Sequence, residues 1–249
     1  MNGMSVPSYE KSPYPVRRDL VAAHERAWAR IAGPGRWWTG AERVAIVAEA
    51  RNAKICALCR RRKHALSPSA VDGRHDTLGR LPEAAVEAIH RIVTDPGRLS
   101  EAWFKKVVAS GLDEERYVEL VSMVAHITAV DTFARGIGLA SHALPEPRPG
   151  APSRTRPKGA KKHGFWVSNV EPGDHDPEDA DYFSAKRRAN IRLALTLVPD
   201  EARAWFDVVD AQYLSGSMMV DFGREHRAIS RAQIELIAAR VSALNQCTY

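Results

Sequence analysis

The sequence has only three cysteines in 249 residues, Cys56, Cys59 and Cys247. So few, and an odd number, exclude a secreted scaffold stapled by disulfides. No apolar run approaches the ~20 residues of a membrane-spanning helix, so no membrane partner is expected. The opening stretch MNGMSVPSYEKSPYP holds no apolar signal core, which makes a cytoplasmic location the expectation. Alternating β-branched and aromatic runs are nearly absent, and the fold class expected is all-α. The net charge of +6 is moderate. Its basic clusters lack interleaved aromatics and base-reading motifs, so nucleic acid is not an expected partner.

What the sequence does have is helical periodicity punctuated by caps and breakers. Hydrophobic residues make up 45% of the chain, enough for a sizeable core. An N-terminal arm and helix occupy 1–35, with Leu20, Val21, Trp28 and Ile31 available to pack and a breaker at Gly33-Pro34-Gly35. A first unit spans 36–142. Its Thr39 and Glu42 form a capping-box pattern. A helix is expected from Pro82 through Ile92, another over Glu101 to Ala109 capped by Ser100, and a long one from Asp113 to Phe133. Residues 143–181 are Pro/Gly-rich and basic, then acidic, which reads as a linker or surface strap pinned by the apolar FWV at 165–167. A second unit covers 182–249, with helices expected over Tyr182–Leu197, Asp200–Leu214 and from Ser230 onward.

The two units share a pattern. Thr39 precedes Cys56 by seventeen residues, and Ser230 precedes Cys247 by seventeen. Glu42 and Gln233 both stand fourteen before the cysteine, and Val44/Ile234 and Val47/Ile237 are apolar at nearly matching places. Ile234, Ile237, Val241 and Leu244 mark one buried face of an amphipathic helix. Asn245 reads as a turn, and Cys247 as the first turn of a following helix, where the dipole favours a thiolate.

Cys56-Ala-Leu-Cys59 puts two thiols at i and i+3 on one helix face. Three readings stand at this level. A redox dithiol fits, because the run Arg60-Arg61-Arg62-Lys63 would stabilise thiolates. A zinc site needs two more ligands; His64 and His75 are the near candidates, in a spacing unlike common zinc patterns. Two small buried apolar residues are the third. The basic run itself most often means a solvated helix face. Glu235 lies twelve residues before Cys247, about 18 Å along a straight helix. It assists the thiol only if the chain turns between them, and is otherwise an ordinary helix-start carboxylate.

With these residues in view, the sequence resembles the alkylhydroperoxidase D-like and carboxymuconolactone decarboxylase superfamily, and its peroxidase-related members with two such units. That family carries the pattern E-x11-C-x2-C-x3-H. Glu235 and Cys247 match its first two positions. The segments RRANIRLALTLVPDEARAWF and DPGRLSEAWFKKVVASGLDEERYVELVSMVAHITAVDTFARGIGL resemble its neighbouring helices. The resemblance implies an all-α bundle that usually forms homo-oligomers and needs no metal or other cofactor. It implies a hydroperoxide substrate attacked by the second cysteine, resolution by the first, and re-reduction by a dithiol protein or small thiol. Glu and His would relay the proton.

The chain departs from that pattern. Lys63 holds the family's His position and His64 follows it; Val44 stands where the Glu would be, with Glu42 and Glu49 as substitutes. In the second unit the attacking position and the relay His would follow Tyr249. Some members carry selenocysteine there, encoded by a codon otherwise read as stop, and an ending at Cys-Thr-Tyr fits such a reading; a chosen chain boundary, a frameshift and a degenerate second copy are the alternatives. Two other functions stand beside the peroxidase reading: a non-catalytic helical scaffold with remnant cysteines, and a lactone-decarboxylase-type enzyme, against which the C-x-x-C pair argues.

Overall fold

Capping side chains set several of the helix starts. The computed structural model describes residues 6–183 and 189–247. In chain order it forms α1 (Arg18–Ala32), α2 (Gly40–Ala53), α3 (Ala57–His64), α4 (Glu83–Thr94), α5 (Glu101–Ala109), α6 (Glu114–Gly136), α7 (Ala180–Phe183), α8 (Asn190–Leu193), α9 (Pro199–Gln212), α10 (Gly216–Val220) and α11 (Arg231–Leu244). Both expected capping boxes form: Thr39 with Glu42 opens α2, and Ser230 with Gln233 opens α11. Ser100 and Asp113 accept from backbone N–H groups at the starts of α5 and α6. No strand occurs among the described residues; one isolated antiparallel bridge joins Lys161 to Asn169. The fold is all-α. No helix among the described residues is long and apolar enough to cross a membrane.

The main core lies between α2, α4 and α6, with α1 and α9 packed alongside. Ile31, Ile46, Ile89, Leu120, Met123 and Ile127 are almost wholly buried there. Side chains of that size stabilise by about 1.5–3 kcal/mol each when removed from water. Leu195, Leu197, Val198 and Ala202, from beyond the strap, enter the same cluster. The stretch 143–179 runs over the surface with little regular structure. Its backbone is tied down by Arg148 N–H to Ala32 O at 2.7 Å and Arg154 N–H to Arg36 O at 2.8 Å. Val167 packs on the core and Trp166 stacks on Phe104, but the fully buried anchor is Val170, three residues beyond the expected FWV pin.

Two expectations in the second half need correction. A single helix over Tyr182–Leu197 does not form: its described parts are the short α7 and α8, followed by turns, and 184–188 lie outside the described residues. Pro199 disfavours helical backbone at Val198, which sits at φ −128° and ψ 80°, and so separates this stretch from α9. The apolar stripe of α11 is also not buried as expected. Ile234 is buried, whereas Ile237, Val241 and Leu244 are 57%, 50% and 65% exposed. Periodicity makes a helix amphipathic but does not say what covers its apolar face.

A buried charge cluster joins four helices. Arg43 of α2, 2% exposed, donates to Glu201 Oε1 of α9 at 2.7 Å. Glu201 also accepts from Ser122 Oγ of α6 at 2.7 Å and from Arg30 of α1 at 3.2 Å. Glu119 of α6 accepts the Trp37 N–H at 2.8 Å, while its Oε1 lies 3.7 Å from Arg43 and has no hydrogen-bond partner. Gly35 closes over this pair: a Cβ there would lie 1.9 Å from Glu119 Oε1 and 2.5 Å from Arg43 Nη1. Burial and the charge of Glu201 push the Glu119 carboxyl up to about 7. Burial would raise Glu201 too, but Arg43, Arg30 and His126 hold it at about 2.

The sign of the pH effect follows. Folded Glu119 keeps a proton that the unfolded chain releases near 4.5, so stability falls as pH rises from about 4.5 to 7. Glu119→Gln removes that loss and should equal or exceed wild type in denaturant titrations above pH 7. Glu201→Gln removes the closer counter-charge of buried Arg43 and leaves Glu119 at 3.7 Å as the remaining one, so the cost should stay below the about 3–5 kcal/mol of a stranded charge. An unchanged pH slope in Glu119→Gln contradicts the assignment.

Candidate functional site

The site begins where α2 ends. Cys56 is the N-cap of α3, with extended backbone, and Cys59 follows one turn later. Both side chains face inward, at 1% and 3% exposure, and neither forms a disulfide. The loop after α3 folds back across this helix start. Asp76 Oδ2 accepts the Ala57 N–H at 2.7 Å, and the Asp76 N–H points to Cys56 Sγ at 3.5 Å. Glu49 Oε2 accepts the Leu78 N–H at 3.0 Å and the Thr77 hydroxyl at 3.1 Å, and Asn52 donates to the Asp76 carbonyl. The loop is therefore held by five contacts from the end of α2 and the start of α3.

Two imidazoles meet the sulfurs. His75, from the loop, places Nδ1 3.5 Å from Cys59 Sγ and 3.6 Å from Cys56 Sγ. His90, from α4, places Nδ1 3.2 Å from Cys59 Sγ. Each ring has its other nitrogen on a carboxylate: His75 Nε2 is 2.8 Å from Glu87 Oε2, and His90 Nε2 is 2.9 Å from Glu49 Oε1. Glu87 is further held by Arg62 at 2.9 Å and by the Trp103 indole N–H at 2.9 Å. His90 and Glu49 are fully buried. The four donor atoms of Cys56, Cys59, His75 and His90 all lie within 4.8 Å of one another.

The electrostatics follow from these contacts. Burial alone would raise the Cys56 thiol, but hydrogen bonds from the Cys59 and Asp76 N–H groups and from His75 outweigh it and hold the thiol below its ordinary value. Burial would lower His75, yet its bonds to Cys59, Glu87 and Cys56 carry it up to about 10. Burial would raise Glu87, and the His75, Trp103 and Arg62 donors bring it down to about 2. His90 goes the other way, lowered by burial against the pull of Glu49. A cysteine thiolate beside an imidazolium is the pairing that favours nucleophilic sulfur.

The expected residues fall on both sides of this arrangement. Cys56, Cys59 and Glu49 come together. Glu42 does not join them: its carboxylate accepts the Thr39 N–H and hydroxyl in the α2 capping box. His64 sits exposed in the last turn of α3, and the imidazoles at the sulfurs are His75 and His90 instead. Of the basic run, Arg60, Arg61 and Lys63 face solvent, and Arg62 reaches Glu87. Glu235, itself in α11, accepts from Tyr213 at 2.8 Å and Arg231 at 2.6 Å on exposed surface, with the remainder of that helix between it and Asn245. Cys247 is exposed just past α11, its N–H donating to the Ser242 carbonyl. Sequence reading missed His90 and Glu87. Their i, i+3 spacing, which puts both on one helix face, is the signal that was available.

A cleft of about 410 Å³, lined by Gly73, Arg74, His75, Thr77, Glu83 and Glu87 among others, reaches the site from the His75 side. The sulfurs lie behind that ring. Removing Glu49 should both loosen the loop and release His90. Glu49→Ala is expected to cost about 1–3 kcal/mol for each buried donor it leaves unpaired, and to speed alkylation of Cys59. Glu42→Ala should cost about 1 kcal/mol, as for a lost cap, and leave alkylation unchanged; equal effects in both variants contradict the placement. Compared with known proteins, the chain matches no family model, no curated protein and no solved structure.

Proposed function

We propose that the protein is a thiol-dependent oxidoreductase that reduces hydroperoxides through the Cys56/Cys59 dithiol. The observation that carries this reading is the chain of contacts from Cys59 Sγ to His90 Nδ1 at 3.2 Å and from His90 Nε2 to Glu49 Oε1 at 2.9 Å, with Cys56 alongside. A sulfur, a base that can take its proton, and a carboxylate that orients the base are the parts of an activated nucleophile. The hydroperoxide class itself rests on the resemblance described above; the geometry supports the thiol chemistry.

The steps balance as follows. The Cys59 thiolate attacks the terminal peroxide oxygen, the O–O bond breaks, and the leaving alkoxide takes a proton from an adjacent imidazolium, giving an alcohol and a Cys59 sulfenic acid. The Cys56 thiolate then attacks the Cys59 sulfur, forming the disulfide and releasing hydroxide, which becomes water with a second proton. An external dithiol returns the pair to its reduced state by exchange and leaves as a disulfide. His90 with Glu49, and His75 with Glu87, supply two routes for the protons. The cleft beside His75 offers a polar, confined approach that suits a small hydroperoxide.

The test is hydroperoxide consumption with a dithiol reductant. Cys59→Ser should abolish turnover. Cys56→Ser should stop after one equivalent, leaving a sulfenic acid that a dimedone-type probe captures. His90→Ala should lower turnover about 10²–10⁴-fold, and Cys247→Ser should leave it unchanged. Full activity in Cys59→Ser overturns the reading.

A further inference from the structure

The proton-relay chemistry does not by itself explain why both imidazoles present the same nitrogen to the sulfurs. His75 and His90 come from different elements, a loop and a helix. Each aims Nδ1 inward and uses Nε2 on its own carboxylate. A single base would suffice to deprotonate one thiol. Four donors converging from two cysteines and two histidines is instead the ligand set of a closed tetrahedral site.

We infer that reduced Cys56 and Cys59, with His75 and His90, bind one Zn²⁺ ion. The spacings fit the ion. Zinc–sulfur bonds of about 2.3 Å and zinc–nitrogen bonds of about 2.05 Å at tetrahedral angles place S and N about 3.6 Å apart. The three sulfur–nitrogen distances are 3.6, 3.5 and 3.2 Å. The outer layer fits as well. Metal-bound histidines nearly always donate their second N–H to a carboxylate or carbonyl, which fixes the ring and the tautomer. Here Glu87 and Glu49 occupy those positions, at 2.8 and 2.9 Å. Charge also balances: two thiolates and one dication leave a neutral centre, which a buried site can hold without an uncompensated charge. The soft S2N2 donor set selects zinc over magnesium or calcium, which require oxygen ligands.

The sequence spacing hides this site. The ligands are separated as C-x2-C-x15-H-x14-H, with one ligand in a loop and one on a separate helix, unlike the compact finger patterns. The inference does not rest on the peroxide reading, since it requires only the reduced cysteines. The two are nevertheless exclusive states of the same sulfurs. If a hydroperoxide oxidises the bound pair, two thiolates become a disulfide, the peroxide takes two electrons and two protons to give alcohol and water, and Zn²⁺ leaves.

The experiment is metal analysis of the full, reduced chain, followed by substitution with Co²⁺. We expect one Zn²⁺ per chain after dialysis and, for Co²⁺, intense tetrahedral d–d bands with sulfur-to-metal charge transfer. Cys59→Ser and His90→Ala should abolish both. Glu87→Gln, which keeps all four ligands, should lower zinc affinity about 10–100-fold. His64→Ala and Cys247→Ser should bind as wild type. In the wild-type chain, independent of any variant's folding, bound zinc should protect Cys56 and Cys59 from alkylation and leave Cys247 reactive. No stoichiometric zinc in reduced wild type, or a weak octahedral Co²⁺ spectrum, overturns the inference. Zinc binding without hydroperoxide turnover leaves the site standing and rejects the peroxidase reading; turnover without zinc binding does the reverse.

Discussion

The ion pair between Arg43 and Glu201 is the constraint on which the rest of the arrangement depends. Arg43 stands on α2 and Glu201 on α9, both almost fully buried. A buried pair of this kind adds little stability beyond what apolar residues of the same volume would supply, because desolvation offsets the attraction. What it imposes is placement. Arg43 reaches Glu201 only when α2 lies against α9, and Glu201 is held there by Ser122 of α6 and Arg30 of α1. Gly35 lets the turn before α2 pass close over Arg43 and its other carboxyl neighbour, Glu119. Since α2 runs from this cluster to Ala53, the same constraint sets where Cys56 emerges.

α2 therefore serves two polar centres at once. Its first turns carry Arg43 towards α6 and α9, and its last turns carry Glu49 towards α4. Glu49 fixes His90 on one oxygen and the loop at Thr77 and Leu78 on the other. The loop in turn delivers His75 and Asp76 to the cysteines. A single carboxylate thus positions one imidazole directly and the other through the loop. Its buried charge is tolerated because four donors, from His90, Leu78, Asn52 and Thr77, converge on it and keep it ionised.

Much of the scaffold was legible because caps act locally. Thr39, Ser100, Asp113 and Ser230 each satisfy backbone groups within their own first turn, so their signal needs no tertiary context. The cysteine pair and Glu49 were also readable, the latter as one of two substitutes. Of the two histidines at the sulfurs, His75 was readable as a near ligand candidate and His90 was not. His90 lies in α4 beside core residues such as Ile89, where a buried histidine looks like core, and His75 lies in a polar loop whose path is set by Glu49 and Asp76. His64 was nearer in sequence, yet its place in the last turn of α3 turns it outward. The stripe of α11 misled for another reason: four apolar residues at helical spacing describe a face, and burial depends on a second surface that the pattern does not contain.

The groups around the sulfurs share one further property. Glu49, Cys56, Cys59, His75, Glu87 and His90 all fall within one stretch, with only forty residues between its ends. The entropy of loop closure grows with the logarithm of separation, and contacts of short range form before distant ones. The cluster around Arg43, by contrast, must wait for Glu201, which is 158 positions away. The chemistry-bearing end of α2 is thus assembled from residues close in the chain, while the other end gains the Glu201 counter-charge only when more than half of the chain has been gathered.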